Sequence, residues 1–154
     1  MWTVTQFATA TAMRLGETCR IRWEDIDRDA RTVIIRDRKH PHAKKGNDQT
    51  IPLLNGPCVI DGETVDPLAL IDSMPREGGR IFPFDSATIS TSFTRGVASC
   101  NIEDLRFHDL RHDGVSRLFE AGYPIEQVSM VSGHKDWNML RRSTQLAPEA
   151  LHRD

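Results

Sequence analysis

The spacing of apolar residues is helical over most of the chain, most clearly between residues 107 and 121. The apolar residues of this stretch that share one helical face are Leu110, Val115, Leu118 and Phe119. Gly122 supplies a helix stop and Pro124 forbids continuation, which predicts a short, well-delimited helix. His108 and Arg111, three residues apart, are predicted to lie together on a neighbouring face.

The rest of the chain contains further predicted helices and strands. Helices are predicted over residues 3–13, 65–74, 86–100, 124–132 and 138–146, with a helical turn over 15–21. Strands are predicted over residues 22–26, 32–36 and 49–53, and residues 55–63 resemble a loop. The expected fold is therefore mainly α (α+β), with a small three-stranded antiparallel sheet near the N-terminal side.

The 154 residues predict one domain, spanning residues 1–154. No apolar run reaches membrane-spanning length and no signal peptide is evident, so a cytoplasmic protein is expected. The three cysteines, Cys19, Cys58 and Cys100, are widely spaced, which favours reduced thiols over a structural zinc cluster. Because the chain begins almost directly in a predicted helix, we expect a fragment whose upstream sequence has been lost or removed.

Charge is unevenly distributed along the chain. The net charge of −2 argues against nucleic-acid binding. The cationic residues between positions 31 and 45, however, are Arg31, Arg36, Arg38, Lys39, Lys44 and Lys45, accompanied by His40 and His42. Asp37 is the only acidic residue in this stretch. This stretch is either a solvated hairpin tip or a basic surface for an anionic partner.

The segment from His108 to His112 allows three interpretations. Its charged residues could lie on a solvated helix face without further function. His108 and His112, one helical turn apart, resemble part of a zinc motif, although Asp109 is a shorter acid than the usual glutamate and no third ligand is evident. Alternatively, Arg111 and His108 could form the two halves of a phosphate clamp.

Four local matches favour the phosphate clamp, and they occur in the order of one known family. They are Thr11-Ala12-Met13-Arg14-Leu15-Gly16-Glu17 with the following Arg22-Trp23-Glu24-Asp25-Ile26-Asp27, Lys39 ahead of Thr50-Ile51-Pro52-Leu53, His108-Asp109-Leu110-Arg111-His112, and Ser132-Gly133-His134. In these motifs the chain resembles the catalytic domain of the tyrosine recombinases, the phage-integrase family, over roughly residues 2–147. The resemblance implies the fold of the DNA breaking and rejoining enzymes.

The resemblance also implies a reaction. In this family a tyrosine attacks a DNA phosphodiester and forms a 3′-phosphotyrosyl bond, with neither a metal nor a nucleotide cofactor. The implied partner is double-stranded DNA at attachment-type sites, on which the full-length protein would assemble as a tetramer. A phage-encoded or bacterial cytoplasmic protein is expected.

The implied site is entirely built from side chains. Arg14 and Arg111 would bind the phosphate oxygens, and Lys39 would protonate the leaving 5′-oxygen. His108 would act as a base or proton relay, and His134 would hydrogen-bond the phosphate. The Glu17 carboxylate would orient Arg14 from behind it. Further DNA contacts are expected from Arg38, Lys44 and Lys45.

The sequence departs from the family at the nucleophile. The family's tyrosine is expected at position 143, which is Ser143, and the chain's single tyrosine, Tyr123, lies at a turn. A serine hydroxyl reaches less far and is a weaker acid than a phenol of pKa about 10. From the abrupt start of the chain we also expect that the family's N-terminal core-binding domain is missing from it. The functional alternatives are thus an inactive recombinase, a non-catalytic DNA-binding or regulatory remnant, and, more remotely, a zinc hydrolase using His108 and His112.

Overall fold

The computed structural model describes residues 1–39, 45–142, 144 and 148–151. Its helices are α1 (Trp2–Thr11), α2 (Leu15–Thr18), α3 (Pro67–Asp72), α4 (Ser86–Ser99), α5 (Asp109–Glu120), α6 (Ile125–Ser132) and α7 (Trp137–Arg142). Its strands are β1 (Ile26–Asp27), β2 (Thr32–Ile35), β3 (Gln49–Pro52), β4 (Val59–Ile60) and β5 (Glu63–Thr64). This mainly helical α+β architecture confirms the predicted fold class.

The predicted three-stranded sheet is present, with antiparallel strands in the order β1, β2, β3. Val33 pairs with Ile26 on one side and with Ile51 on the other. The strand predicted over residues 22–26 is wrong over most of its length, because Trp23–Asp25 forms a 3-10 turn. The Asp25 carboxylate accepts a hydrogen bond from the Arg22 backbone N–H at 3.0 Å, and this local contact replaces ladder pairing.

A second, two-stranded sheet lies where the sequence predicted a loop. Ile60 of β4 pairs with Glu63 of β5 across Asp61 and Gly62, which both have positive φ. An Asp-Gly pair with this conformation is a hairpin signal. The strands are only two residues each, too short to show an alternating pattern.

The two largest clusters of buried apolar side chains in the described residues hold the helices. The larger lies between α1, the three-stranded sheet, α3 and α4, and contains the Phe7–Phe82 ring pair at 5.0 Å. The smaller joins α5, α6 and α7 through Val115, Val128 and Leu140. These clusters fix the start of α5 and the end of α6, from which candidate site residues project.

α5 packs directly against α1. A Cβ added at Gly114 would lie 2.3 Å from the Thr9 carbonyl oxygen, so only glycine permits this separation. The consequence is that the first turn of α5 meets the end of α1, where the Arg14 motif begins. In the described part of the chain, no helix has the length and apolar character needed to cross a membrane.

Candidate functional site

Arg111 is buried at the first turn of α5, with only 2% of its surface exposed. Its Nη1 donates a hydrogen bond of 2.6 Å to the Ala12 carbonyl oxygen, just past the end of α1. Ala12 has a left-handed backbone with φ 51°, which ends α1 there. The hydrogen bond holds one arm of the guanidinium and leaves the other for a different partner.

The Glu17 carboxylate joins two further arginines. Its Oε1 lies 2.9 Å from Arg14 Nη1 and 3.3 Å from Arg38 Nε. Burial alone would raise the pKa of Glu17, but the charges of Arg38 and Arg14 outweigh it and lower that pKa. Glu17 also accepts a hydrogen bond of 3.1 Å from the Arg14 backbone N–H, so it fixes both the backbone and the side chain of Arg14.

Arg38 is not on the hairpin surface, as the basic stretch had suggested, but in the interior with 1% of its surface exposed. Its Nη2 donates hydrogen bonds to the carbonyl oxygens of Val131 at 3.2 Å and Ser132 at 2.7 Å. Its Nη1 donates to Gln49 Oε1 at 3.2 Å. We therefore correct the prediction that Arg38 contacts DNA, because its guanidinium is engaged inside the protein.

His134 follows the left-handed cap at Gly133 and is buried against Arg111. Its Nδ1 lies 2.8 Å from Ser132 Oγ. Arg111 Nη2 is 3.4 Å from both ring nitrogens. A position in the ring plane at equal distances from both nitrogens would overlap Cε1, the carbon atom between them. Nη2 therefore lies against the face of the ring. Burial and the charges of Arg111, Arg14 and Arg38 lower the pKa of His134 to about 4, so the ring is neutral at pH 7.

His108 precedes α5 and is exposed, with its ring edge-on to that of His112 at a centroid distance of 5.1 Å. The protein atoms around the ring remove part of its hydration, and this desolvation, followed by the charges of His112, Arg111 and Arg14, lowers the pKa of His108. His112 is half-buried, and among the described residues its Nδ1 has no hydrogen-bond partner. Within the same described ranges, no three His, Cys, Asp or Glu side chains are grouped as metal ligands would be.

Two cavities adjoin Arg14. A cavity of about 230 Å³ is lined by Arg14, His108 and Arg111. A wider one of about 490 Å³ is lined by Arg14 and Lys39. The structure thus places four predicted site residues around Arg14, namely Glu17, Lys39, His108 and Arg111, and His134 adjoins them through Arg111. Ser143 and Lys44 lie outside the described residues, as do His40, His42 and His152, whereas Lys45 is exposed at the edge of the described range.

The cluster has an excess of positive charge. Burial, and then repulsion by Arg14 and Arg38 only partly offset by Glu17, lowers the pKa of Arg111 to about 9. Arg111 therefore remains protonated at pH 7. Glu17 pairs with Arg14 and Arg38 and offsets the charge of Arg111 only in part, and such an arrangement favours an anion with several oxygens in the adjoining cavity.

The sequence as a whole decides the family. The model of the Phage integrase family matches residues 2–150, nearly the entire chain. The chain belongs to the phage integrase family. This confirms the resemblance inferred from the four motifs.

Individual relatives agree with this assignment. The chain is 30% identical to the shufflon-specific DNA recombinase of Escherichia coli, over 95% of this chain and 35% of the recombinase. It is 28% identical to the integrase of Salmonella phage P22, over 96% of this chain and 40% of that integrase. The integrase-family chain therefore spans well under half the length of these two relatives.

Solved structures share the fold. A lambda integrase dimer bound to a COC′ core site superposes with a TM-score of 0.74 at 20% identity, over 93% of this chain and 51% of that one. A lambda integrase tetramer bound to a Holliday junction gives a TM-score of 0.71 at 20% identity, over 98% and 43% of the two chains.

Three features of this integrase-family site were not predicted from the sequence. They are the burial of Arg38, the Ser132 hydroxyl beside His134, and the Ala12 carbonyl that anchors Arg111. The family pattern did contain one signal. The family's segment is Thr-Gly-Leu-Arg-x-x-Glu, which has a glycine where this chain has Ala12, and a glycine there indicates a left-handed backbone whose carbonyl can face the site.

Proposed function

We propose that this chain is the catalytic domain of a site-specific DNA recombinase, with its site centred on Arg14. The observation that carries the proposal is that Arg14, His108 and Arg111 line one cavity, although Arg14 and Arg111 come from opposite halves of the chain. This cavity offers cationic and hydrogen-bonding groups to a single phosphate. Whole-protein activity in integration or excision is part of the same proposal.

Arg14 and Arg111 would stabilise the negative charge that grows on the non-bridging oxygens during phosphoryl transfer. Arg111 is suited to this because its Nη1 contact with Ala12 fixes the guanidinium before DNA binds. Arg14 is fixed in turn by Glu17. Losing one such preorganised donor typically costs on the order of 3 kcal/mol in the transition state.

Proton transfer would involve Lys39 and His108, and hydrogen bonding to the phosphate would involve His134. In strand cleavage the bond from the nucleophile oxygen to phosphorus forms as the bond from phosphorus to the 5′-oxygen breaks. The nucleophile's proton would pass to His108, and Lys39 would give a proton to the departing 5′-oxygen. His134, neutral at pH 7, would donate a hydrogen bond to the phosphate without adding charge.

Serine at position 143 would make this chain inactive in cleavage. A serine oxygen lies nearer the backbone than a tyrosine oxygen and is less acidic, so it would neither reach nor attack the phosphorus efficiently. This substitution favours a second candidate, a DNA-binding or regulatory remnant that keeps the anion site without chemistry. No grouping among the described residues favours the zinc hydrolase.

The proposed partner is double-stranded DNA at attachment-type sites. Lambda integrase structures on a core site and on a Holliday junction support this partner and a tetrameric assembly of the full-length protein. Lys44 and Lys45 would contribute backbone contacts. We further propose a single catalytic domain that acts with a core-binding domain, in the cytoplasm of a bacterium.

The test is to restore the nucleophile. Ser143→Tyr in a fusion to a core-binding domain should form a covalent adduct with a nicked duplex that releases its short strand. The adduct would appear as a shifted band on a denaturing gel, and the parent serine protein should give none. An adduct from the serine protein would show that Ser143 is itself a nucleophile.

Two further variants separate the candidates. Arg111→Lys in the tyrosine protein should strongly reduce the adduct, because an ammonium group cannot contact both Ala12 and the phosphate in the same geometry. Arg28→Lys, at a surface ion pair with Asp72, is the matched control and should leave it unchanged. If the folded tyrosine protein forms no adduct on a cognate duplex, the non-catalytic candidate is favoured.

A further inference from the structure

Two exposed arginines outside the proposed site extend its cationic surface. Arg20 and Arg80 line the cavity that contains Arg14 and Lys39. The same two residues also line a neighbouring cavity of about 300 Å³ beside Arg22. Arg20 and Arg80 therefore lie at the junction of the two cavities, which together we call the arginine groove.

Backbone contacts hold the two sides of the groove together. Residue 80 forms an isolated antiparallel bridge with Arg22. The Ile81 N–H donates to the Ile21 carbonyl oxygen at 3.1 Å, and the Trp23 N–H donates to that of Gly79 at 3.1 Å. Arg80 is consequently fixed beside the segment that carries Arg20, although 60 positions separate them in the numbering.

The arginines of the groove differ in their pairing. Arg22 lies 3.3 Å from Glu24, and Arg36 lies 2.7 Å from Asp25. Across the part of the chain that the structure describes, Arg20 and Arg80 have no ion pair or side-chain hydrogen bond. Two unpaired guanidinium groups beside a proposed phosphate site can bind an anion without first breaking an internal contact.

The acidic residues of the groove are engaged by protein donors. Glu17 pairs with Arg14 and Arg38. Asp37 accepts from the Gly46 backbone N–H at 2.6 Å, and Asp85 caps α4 by accepting from the Thr88 N–H at 3.0 Å. Their charges therefore do not neutralise Arg20 and Arg80 through direct contact.

We infer that Arg20 and Arg80 form a second phosphate site, which binds the DNA backbone beside the phosphate held at Arg14. The inference rests on the proposed function, because it takes double-stranded DNA as the ligand. Because all four side chains line the same cavity, one strand can pass from Lys39 and Arg14 to Arg80 and Arg20. These arginines would contribute affinity without sequence preference.

The salt dependence of DNA binding tests this inference directly. Each phosphate contact adds about 0.9 to the slope of log affinity against log salt concentration. For the full chain on a duplex, Arg20→Gln and Arg80→Gln should each flatten the slope by about 0.9, and the double variant by about 1.8. Arg20→Lys with Arg80→Lys should retain the wild-type slope, because the charge is kept.

Arg95→Gln is the matched control. Arg95 is also exposed and lies on α4, nine residues after Ser86, which lines the arginine groove. Nine residues make about two and a half helical turns, so Arg95 is on the opposite side of the helix from Ser86. This variant makes the same change in net charge and should keep the wild-type slope. If the Arg20 and Arg80 variants also keep it while the wild type binds with a salt-dependent slope, the second site is refuted and the proposed function stands. If the wild type does not bind duplex DNA, both are refuted.

Discussion

The guanidinium of Arg38 donates a hydrogen bond of 2.7 Å to the carbonyl oxygen of Ser132, 94 residues later in the chain. Through Glu17, the same guanidinium is linked to Arg14. Arg38 therefore connects the end of α6, just before His134, with Arg14 at the start of α2. Gly133 is part of this contact, since a Cβ there would lie 2.5 Å from the Arg38 guanidinium carbon.

Replacing this arginine should strongly destabilise the fold. Arg38→Met leaves two buried carbonyls without a donor and Glu17 with one cation fewer, so we expect the free energy of unfolding to fall by about 3–5 kcal/mol. Urea denaturation measures this change. Arg28→Met removes an exposed partner of Asp72 and should cost only about 0–1 kcal/mol. Equal losses in the two variants would show that burial of Arg38 contributes nothing.

Two helical glycines should respond to alanine in opposite directions. Gly114→Ala places a Cβ 2.3 Å from the Thr9 carbonyl oxygen and must separate α1 from α5, so we expect a loss of about 1–3 kcal/mol or more. At Gly96 in α4, a Cβ meets no atom within 4 Å. Gly96→Ala should therefore add about 0.5–1 kcal/mol. Thermal denaturation of both variants compares them, and a neutral Gly114→Ala would contradict the close helix packing.

His134 should make the protein less stable in mild acid. Its pKa is about 4 in the folded state, below the ordinary histidine value of 6.5. Between these pH values the histidine is protonated in the unfolded chain but neutral in the folded protein. The contribution of His134 to the free energy of unfolding is therefore complete above pH 6.5 and is lost as pH falls towards 4. The loss is about 3 kcal/mol, since each pKa unit corresponds to about 1.4 kcal/mol.

The corresponding measurement is urea denaturation at pH 7, 5.5 and 4.5. His134→Gln removes the titrating ring and should reduce the fall in stability over this range. His108 has a pKa shifted in the same direction, so His108→Gln should reduce the fall as well. A fall that is equally steep without His134 would indicate that other groups dominate acid denaturation.

Inorganic phosphate should stabilise the protein through the Arg14 cavity. A ligand at 100 times its dissociation constant adds about 2.7 kcal/mol. The midpoint of thermal unfolding should therefore rise in phosphate relative to sodium chloride of equal ionic strength. Arg14→Gln should abolish this difference, whereas Arg28→Gln should preserve it. An unchanged phosphate effect in Arg14→Gln would place the anion elsewhere.

Binding of the isolated chain to duplex DNA should be weak and largely independent of sequence. Non-specific binding typically has a dissociation constant of about 10⁻⁴ to 10⁻⁶ M at physiological salt. Lys44→Gln with Lys45→Gln should flatten the salt dependence, because both charges are predicted to contact the backbone. Tight binding that does not change with salt would contradict this electrostatic account.

The order of the motifs could be predicted from sequence, whereas the orientation of Arg38 could not. In β2 the buried residues are Val33 and Ile35, and continued alternation would turn position 37 inward and Arg38 outward. Asp37 instead adopts a left-handed backbone with φ 47°, which inserts one residue into the alternation. Arg38 is thereby buried and Lys39 is exposed.

Helices with a repeated apolar face were easier to predict than contacts made by single atoms. α4 and α6 follow the predicted ranges because each has a repeated apolar face and a clear end signal, such as Asp85 or Gly133. The Ser132 hydroxyl and the Ala12 carbonyl, by contrast, act through single atoms. Their roles depend on which distant side chain arrives beside them, and no periodic pattern records that.

The Arg111 hydrogen bond to Ala12 also bears on the order of folding, because it joins residues 99 positions apart. Local helices can form before such a distant contact, since closing a long loop costs entropy that only later packing offsets. The phosphate cavity should therefore be among the last features to appear during refolding. Recovery of phosphate binding would then report completed native topology, later than the recovery of helical circular dichroism.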